Sequence, residues 1–279
     1  MKNAEFLKNN GVNLEASLEL LGDIEMYDET LNDFINEFDS KISQLKTYKE
    51  NGDMLNYAIV VHSLKSDAKY LGFTKLAELS FNHEMSSKAN DINFVNANFE
   101  SLMQEANQVM NIAKAYSNGG TVSPIPVQNT LQTAIPQSQQ PVTTQSPVEP
   151  QRSLSTDKKI LIVDDSNIIR NLVQKVFDTE YNVLMASDGQ EAINIVSSNT
   201  GNLVGMLLDL NMPNVNGFQV LDFFASNNLF DKIPVVIITG DDSKESVFKA
   251  FDYPIVDVLN KPFNEDSIKR VVSRMINLK

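Results

Sequence analysis

The sequence contains no cysteine, which excludes disulfide bonds, thiolate nucleophiles and cysteine-ligated metals. It has no apolar run near the roughly 18 residues of a membrane span, and its first residues lack the hydrophobic segment of a secretory signal. Basic residues are outnumbered, with 23 Lys and Arg against 36 Asp and Glu. Nucleic acids and anionic membranes bind clustered positive charge, so we expect neither as a partner. Because the sequence lacks cysteine, a secretory signal and a membrane span, we expect a cytoplasmic location.

A change in composition divides the chain. No charged residue occurs from residue 115 to 148, and this stretch is rich in Gln, Pro, Ser and Thr. Such a composition cannot bury enough apolar surface to offset the entropy lost on ordering. We therefore predict one domain over residues 1–116, a disordered linker over 117–156 and a second domain over 157–279.

Apolar residues before the linker recur at helical spacing. A short first stripe consists of Leu14, Leu18 and Leu21, and a longer one consists of Leu31, Phe34, Ile35, Phe38, Ile42 and Leu45. Asp53 is expected to cap a further helix that ends near Gly72. Two more helices are predicted over 74–88 and 94–115, so the first domain is predicted to be an all-α antiparallel bundle.

After the linker, short apolar runs alternate with amphipathic segments. Strands are predicted over 158–165, 182–188, 203–211, 234–240 and 256–262. Helices are predicted over 167–180, 189–199, 217–228, 243–253 and 264–279. Five buried strands that alternate with five helices indicate an α/β domain with a doubly wound, five-stranded parallel sheet.

Polar residues stand at the ends of these predicted strands. Asp164 and Asp165 end the first strand, Asp209 lies near the end of the third, and Thr239 and Lys261 lie near the ends of the fourth and fifth. Ligands of open parallel sheets bind beyond the carboxyl ends of the strands. Three converging carboxylates need a compensating cation, and hard oxygen ligands suit Mg²⁺. A hydroxyl and an ammonium would complete a phosphoryl-binding pocket.

The motifs DD, LLDLNMPNVNG, IITG and NKPF occur in an order and spacing that resemble the receiver domain of two-component response regulators, a flavodoxin-like fold. The resemblance implies that Asp209 accepts a phosphoryl group as an acyl phosphate. It assigns Mg²⁺ binding to Asp164, Asp165, Asp209 and the backbone carbonyl of Asn211, and phosphate contacts to Thr239 and Lys261. The Lys261–Pro262 bond resembles one that is cis in the family.

One position departs from the receiver pattern. The family often has Tyr or Phe three residues before the lysine, and this chain has Val258 there. We expect the phosphoryl-accepting chemistry to be intact, but we do not expect the usual response to phosphorylation, in which this aromatic side chain swings inward. An alternative function is therefore a phosphorylation-switched receiver that binds an effector protein, with the first domain as regulator or phosphate sink.

One of only two histidines lies in the stretch VVHSLKSDAKYLG, residues 60–72. At about 100° per residue, Tyr57, Val61 and Leu64 fall on a core-facing side of this helix. The side chains of His62, Lys65, Ser66 and Lys69 fall on another side, and we therefore predict that His62 is exposed to solvent.

This stretch resembles the HxLKG(S/A)A pattern of histidine phosphotransfer (HPt) domains. The resemblance implies that His62 carries a phosphoryl group, that Lys65 and Lys69 stabilise its charge, and that the small Ser66 permits close docking. Asp67 places a carboxylate where a small neutral residue is usual, which could favour particular partners. His83 is interpreted as structural or surface, and Glu84 as a helix-face residue.

Together the two resemblances predict a phosphorelay protein. No GxxxxGK[ST] motif or kinase-like domain is visible, so the chain is expected to be a phosphotransfer intermediate without its own kinase or ATP site. No output domain is expected after the last helix. Predicted partners are a sensor histidine kinase, other receiver or HPt proteins, and the other domain of the same chain. The direction of phosphate flow stays open, and a metal-dependent hydrolase is disfavoured because no separate nucleophile or general base is evident.

Overall fold

The computed structural model describes residues 3–119, 158–199, 201–240 and 244–277. Within these residues an N-terminal helical region is followed by a five-stranded parallel α/β domain, which confirms the predicted fold class. The predicted linker over 117–156 lies almost entirely outside the described residues. None of the described helices is both long and apolar enough to cross a membrane.

The helical region follows the predicted apolar stripes closely. Its helices are α1 (Ala4–Asn9), α2 (Leu14–Leu21), α3 (Ile24–Glu50), α4 (Met54–Tyr70), α5 (Thr74–Lys88) and α6 (Ile92–Ser117). The side chain of Asp53 accepts a hydrogen bond from the backbone N–H of Asn56, which confirms the predicted cap of α4. Gly72 is the second residue after α4, and its φ of +74° and close approach to the Asn13 carbonyl oxygen leave no room for a Cβ.

The α/β domain alternates strands and helices as predicted. Its strands are β1 (Lys159–Val163), β2 (Asn182–Ala186), β3 (Leu203–Asp209), β4 (Val235–Thr239) and β5 (Asp257–Asn260). Its helices are α7 (Asn167–Phe177), α8 (Gly189–Asn199), α9 (Gly217–Ser226), α10 (Lys244–Ala250) and α11 (Glu265–Asn277). The strands are parallel in the order β2-β1-β3-β4-β5, so the carboxyl ends of the central strands β1, β3 and β4 lie side by side.

The helical region packs against the carboxyl edge of this sheet. The ring of Tyr70, the last residue of α4, meets the ring of Phe263 edge-on with 6.1 Å between the centroids. The Tyr70 hydroxyl also accepts a hydrogen bond of 3.0 Å from the Phe263 backbone N–H. Buried apolar residues of the helical region and of one sheet face form one continuous cluster. Apolar packing therefore links the two parts of the chain.

Polar contacts extend the same interface between α3 and α7. The Nδ2 of Asn171 donates a hydrogen bond of 2.6 Å to Oδ2 of Asp33, and Nζ of Lys175 lies 3.0 Å from Oε2 of Glu29. Both contacts are exposed at the rim. Exposed pairs of this kind add about 1 kcal/mol at most, so they orient the two parts more than they hold them together.

Candidate functional site

Three carboxylates converge at the carboxyl edge of the sheet. Asp164 and Asp165 follow β1, Asp209 ends β3, and one oxygen of each lies within 4.8 Å of the others. The loop after Asp209 is held close by Gly217, where an added Cβ would lie 2.3 Å from the Asp209 carbonyl oxygen. The side chains of Asp164 and Asp209 are fully buried, Asp165 is half-buried, and we call the three carboxylates together the acidic pocket.

Lys261 compensates part of this negative charge. Its Nζ lies 2.8 Å from Oδ2 of Asp209 and 2.6 Å from Oδ2 of Asp164. Burial alone would lower the pKa of Lys261, but the surrounding carboxylates raise that pKa above its usual value. The Lys261–Pro262 bond is cis, as the resemblance implied. Thr239 is also buried, at the end of the neighbouring strand β4.

Two of the carboxyl groups are hard to ionise without a further cation. Burial raises the pKa of Asp164, the Lys261 ammonium lowers it and the Asp209 carboxylate raises it, and the net result is a pKa of about 6. Burial followed by repulsion from Asp164 and Asp209 raises the pKa of Asp165 to about 7. Three carboxylates against one buried ammonium leave negative charge uncompensated, so this oxygen-rich donor set fits Mg²⁺. The backbone N–H of Asn211 donates to Oδ1 of Asp209 over 3.2 Å, and the metal role of the Asn211 carbonyl stays a prediction.

The prediction that His62 is exposed was wrong, because its side chain is only 2% exposed. The helical phase was right, since Tyr57, Val61 and Leu64 are fully buried in the helical region. The opposite side of α4 is covered by α5 and by the α/β domain. A second packing surface, contributed by α5 and by distant residues of the α/β domain such as Gly240, therefore converts a predicted exposed face into an interface.

The His62 imidazole is held by a carboxylate of α5. Its Nδ1 lies 2.7 Å from Oε1 of Glu84, and both side chains are buried. Burial would raise the pKa of Glu84, but the hydrogen bond from His62 and the charges of His62, Lys65 and Lys88 hold that pKa well below its usual range. An ionised carboxylate can only accept a hydrogen bond, so Nδ1 carries a proton, and in the neutral imidazole Nε2 is then the nitrogen that presents a lone pair.

The free nitrogen of His62 faces the α/β domain. Nε2 is buried and has no hydrogen-bond partner among the described residues. A Cβ added to Gly240, the residue after β4, would lie 3.1 Å from Nε2 and 3.7 Å from Cβ of Lys261. Nε2 therefore lies close to Gly240 and Lys261, at the edge of the sheet on which the acidic pocket lies.

The other residues of the histidine stretch have different surroundings. Lys65 is buried, with Nζ 2.7 Å from Oε2 of Glu84 and donating to the Gly240 carbonyl over 3.0 Å. Ser66 is buried, and no described residue hydrogen-bonds to its hydroxyl. Lys69 is half-buried in a groove beside Pro262. Lys65 therefore links Glu84 of the helical region to Gly240 of the α/β domain, whereas Lys69 lies at the edge of the interface between the two regions.

Glu84 and Lys88 are site residues that sequence reasoning missed. Lys88 Nζ lies 2.8 Å from Oε1 of Glu84, one helical turn away, and its side chain is one-third exposed. The i,i+4 spacing of Glu84 and Lys88 is visible in the sequence, but the pairing of α5 with His62 is not. His83 is buried, and its Nδ1 hydrogen-bonds to the Tyr57 hydroxyl over 2.8 Å, which agrees with a structural role.

A cavity of roughly 440 Å³ opens at the junction of the two regions. Its lining includes His62 and Lys88 from the helical region and Asn211 and Met212 from the loop after β3. The imidazole therefore borders a space that also reaches the loop following Asp209.

Comparison with known proteins identifies the α/β domain. A family model described as the response regulator receiver domain matches residues 160–273. The chain is 32% identical over 124 residues to sporulation initiation phosphotransferase F of Bacillus subtilis, covering 44% of this chain and 97% of that protein. It is 30% identical over 113 residues to chemotaxis protein CheY1 of Helicobacter pylori, covering 40% of this chain and 90% of that protein.

A solved structure of chemotaxis protein CheY4 of Vibrio cholerae aligns with a TM-score of 0.39 at 28% identity, covering 42% of this chain and 98% of that one. Other relatives are longer. The chain covers 53% of the probable transcriptional regulator ycf29 of Pyropia yezoensis and 13% of the sensor histidine kinase TmoS of Ectopseudomonas mendocina. Through residues 160–273, this chain belongs to the response regulator receiver family, whose members occur in two-component signalling.

Proposed function

We propose that the chain is a phosphorelay protein in which an HPt domain, residues 1–116, and a receiver domain, residues 157–279, exchange a phosphoryl group between His62 and Asp209. The observation that carries this proposal is the orientation of His62. Its Nδ1 is fixed by Glu84, and its unpartnered Nε2 is buried against Gly240, next to the lysine that pairs with Asp209.

The transfer step needs no external acid or base. With Asp209 phosphorylated, the lone pair of His62 Nε2 forms a bond to phosphorus while the bond from phosphorus to the Asp209 oxygen breaks. The Asp209 oxygen keeps the bonding electrons and returns to a carboxylate, which Lys261 can pair with. The imidazole gains positive charge, which the Glu84 carboxylate offsets through Nδ1–H. Reverse transfer uses the same atoms.

The acidic pocket would hold Mg²⁺ through Asp164, Asp165, Asp209 and the Asn211 carbonyl. When bound, Mg²⁺ supplies positive charge that offsets the phosphoryl oxygens. Thr239 would donate a hydrogen bond to the phosphoryl group and Lys261 would pair with it. On the HPt side, we assign Lys65 and Lys69 to stabilising phosphate charge. Catalysis would then rest on positioning and charge rather than on covalent chemistry by further residues.

Exchange with outside partners requires the two domains to separate. In the docked arrangement His62 is 2% exposed and Asp209 is fully buried, so neither is accessible to another protein. Relatives of the receiver domain include a sensor histidine kinase and a hybrid signal transduction histidine kinase, which supports a kinase as the external source of phosphate. The docked state would serve the internal step, and the open state would serve the partners.

The test is to charge the full chain with a radiolabelled small phosphodonor and Mg²⁺ and to follow the label. We expect acid-labile, base-stable label on His62 in the wild type, none on His62→Gln, and none at all on Asp209→Ala. His83→Gln is the control, because it removes the other histidine and should still carry label. Label confined to Asp209, with no passage to any added receiver or HPt protein, would instead support a phosphorylation-switched binding module.

A further inference from the structure

A buried carboxylate of the HPt domain contacts the receiver domain directly beside the acidic pocket. Asp67 is 1% exposed, and its Oδ1 accepts a hydrogen bond of 3.0 Å from the hydroxyl of Ser166. Ser166 is the residue that follows Asp164 and Asp165 and precedes α7. Its hydroxyl makes no capping bond to α7 and is directed to Asp67 instead. This contact joins the two domains at a position five residues after His62 on α4.

The second oxygen of Asp67 pairs with a lysine of the same domain. Lys41 on α3 forms an ion pair with Oδ2 of Asp67 and lies 2.9 Å from Oε2 of Glu37. Burial would lower the pKa of Lys41, but the carboxylates of Asp67 and Glu37, and to a smaller extent that of Asp165, raise it above its usual value. Asp67 thus holds a positive charge of the HPt domain close to the acidic pocket of the receiver.

The contact can discriminate between receivers, because a carboxylate that is buried in an interface needs a hydrogen-bond donor or a cation for each oxygen. A receiver with an apolar residue after the acidic pair would leave Oδ1 of Asp67 buried without a hydrogen-bond donor. A receiver with an acidic residue there would add repulsion. A hydroxyl at this position, as in Ser166, meets the requirement with a small side chain that fits the closed interface.

We propose that Asp67 is a specificity-determining residue that pairs this HPt domain with receivers bearing a hydroxyl directly after the acidic pair, and thus with the receiver of its own chain. This inference rests on the proposed function, since it names the partner of the His62 site. Asp67 acts through docking, so it is a positioning residue and has no part in the bonds made and broken.

The experiment measures label transfer from Asp209 to His62 in full-length chains. We expect Asp67→Ala and Ser166→Ala each to slow transfer about tenfold or more, because each removes a buried hydrogen bond to a charged group. The double variant should be little slower than the slower single variant, since both changes break one contact. Ser166→Thr keeps the hydroxyl but adds a methyl group, and it should slow transfer less than Ser166→Ala does. Asp33→Ala, which removes a half-buried carboxylate whose hydrogen bond with Asn171 is exposed at the rim of the same interface, is the control and should change the rate less than twofold.

A second measurement reports docking without phosphate. The native chain lacks cysteine, so Glu29→Cys with Lys175→Cys allows a short bismaleimide to trap the docked domains. We expect Asp67→Ala or Ser166→Ala to lower the trapped fraction several-fold. If the wild type shows no transfer but trapping still depends on Asp67, the proposed function fails and the docking inference stands. The inference would be overturned if Asp67→Ala and Ser166→Ala both showed the same transfer rate and the same trapped fraction as the wild type.

Discussion

His62 and Glu84 form a buried hydrogen bond of 2.7 Å between Nδ1 and Oε1. The carboxylate fixes the ring and its tautomer, so the nitrogen that faces the receiver domain is the one with a free lone pair. Lys65 and Lys88 on either side keep the carboxylate ionised. The reactivity we propose for His62 therefore depends on a residue of another helix.

Replacing Glu84 with Gln should slow phosphotransfer to His62. Gln can still accept from Nδ1–H, but it cannot offset the positive charge that the imidazole gains. The loss of a charge-assisted hydrogen bond, about 1.5–3 kcal/mol, corresponds to roughly 10- to 100-fold in rate. Rapid-quench label transfer measures the effect. Glu78→Gln, an exposed change on the same helix, should leave the rate unchanged, and an equal loss in both variants would refute a specific role for Glu84.

The Glu84 carboxylate should also make stability depend on pH. Its pKa is lowered from an ordinary value of 4.5. A group with a depressed folded-state pKa contributes stability that is fully present above its unfolded pKa and lost as pH falls toward the folded pKa. We expect wild type to unfold at a higher temperature than Glu84→Gln at pH 7, and the difference to shrink below about pH 4.5. A difference that is the same at pH 7 and pH 3.5 would be inconsistent with this assignment.

Substitution of Gly240 by Ala should disturb the approach of His62 to the pocket. An added Cβ would lie 3.1 and 3.2 Å from two ring atoms of His62, closer than most real Cβ contacts. The ring must then shift, and small misplacements of reacting groups are costly, so we expect transfer to slow roughly tenfold. Charging of Asp209, measured in the His62→Gln background, should not change. Gly201→Ala has nothing within 4 Å of the added Cβ and should transfer at the wild-type rate.

Mg²⁺ should stabilise the receiver domain through the acidic pocket. At a concentration ten times the dissociation constant, binding to the folded state alone adds about 1.4 kcal/mol to the free energy of unfolding. Thermal unfolding with and without Mg²⁺ measures this gain, which Asp165→Asn should abolish. Asp188→Asn, a carboxylate near the end of β2 and outside the cluster, should keep it. The same Mg²⁺ shift in Asp165→Asn as in wild type would place the metal elsewhere.

Much of the fold and of the acidic pocket was predictable from the sequence, because both follow from the apolar pattern along the chain and from the order of its strands and helices. Apolar spacing defined the helices to within a few residues, and the residues at strand ends converge because parallel strands share a carboxyl edge. Asp164, Asp165, Asp209 and Lys261 accordingly lie together as expected.

The surroundings of His62 were not predictable in the same way. The phase of α4 correctly separated Tyr57 from His62, but phase alone cannot tell a solvated face from one covered by another domain. The Glu84 contact needs α5 to pack beside α4, and the Ser166 contact needs two domains to dock. Such contacts depend on tertiary packing, and the residue pattern of a single helix does not show which other elements will pack against it.

The most direct test is the dependence of the Asp209-to-His62 transfer rate on protein concentration. Single-turnover transfer should follow one first-order rate constant that stays the same over a hundredfold range of chain concentration, because the donor and acceptor belong to one molecule. Mixing phosphorylated His62→Gln chains with Asp209→Ala chains should give slower, concentration-dependent transfer. A wild-type rate that rises in proportion to concentration, or no label on His62 at any concentration, would contradict transfer within the docked chain.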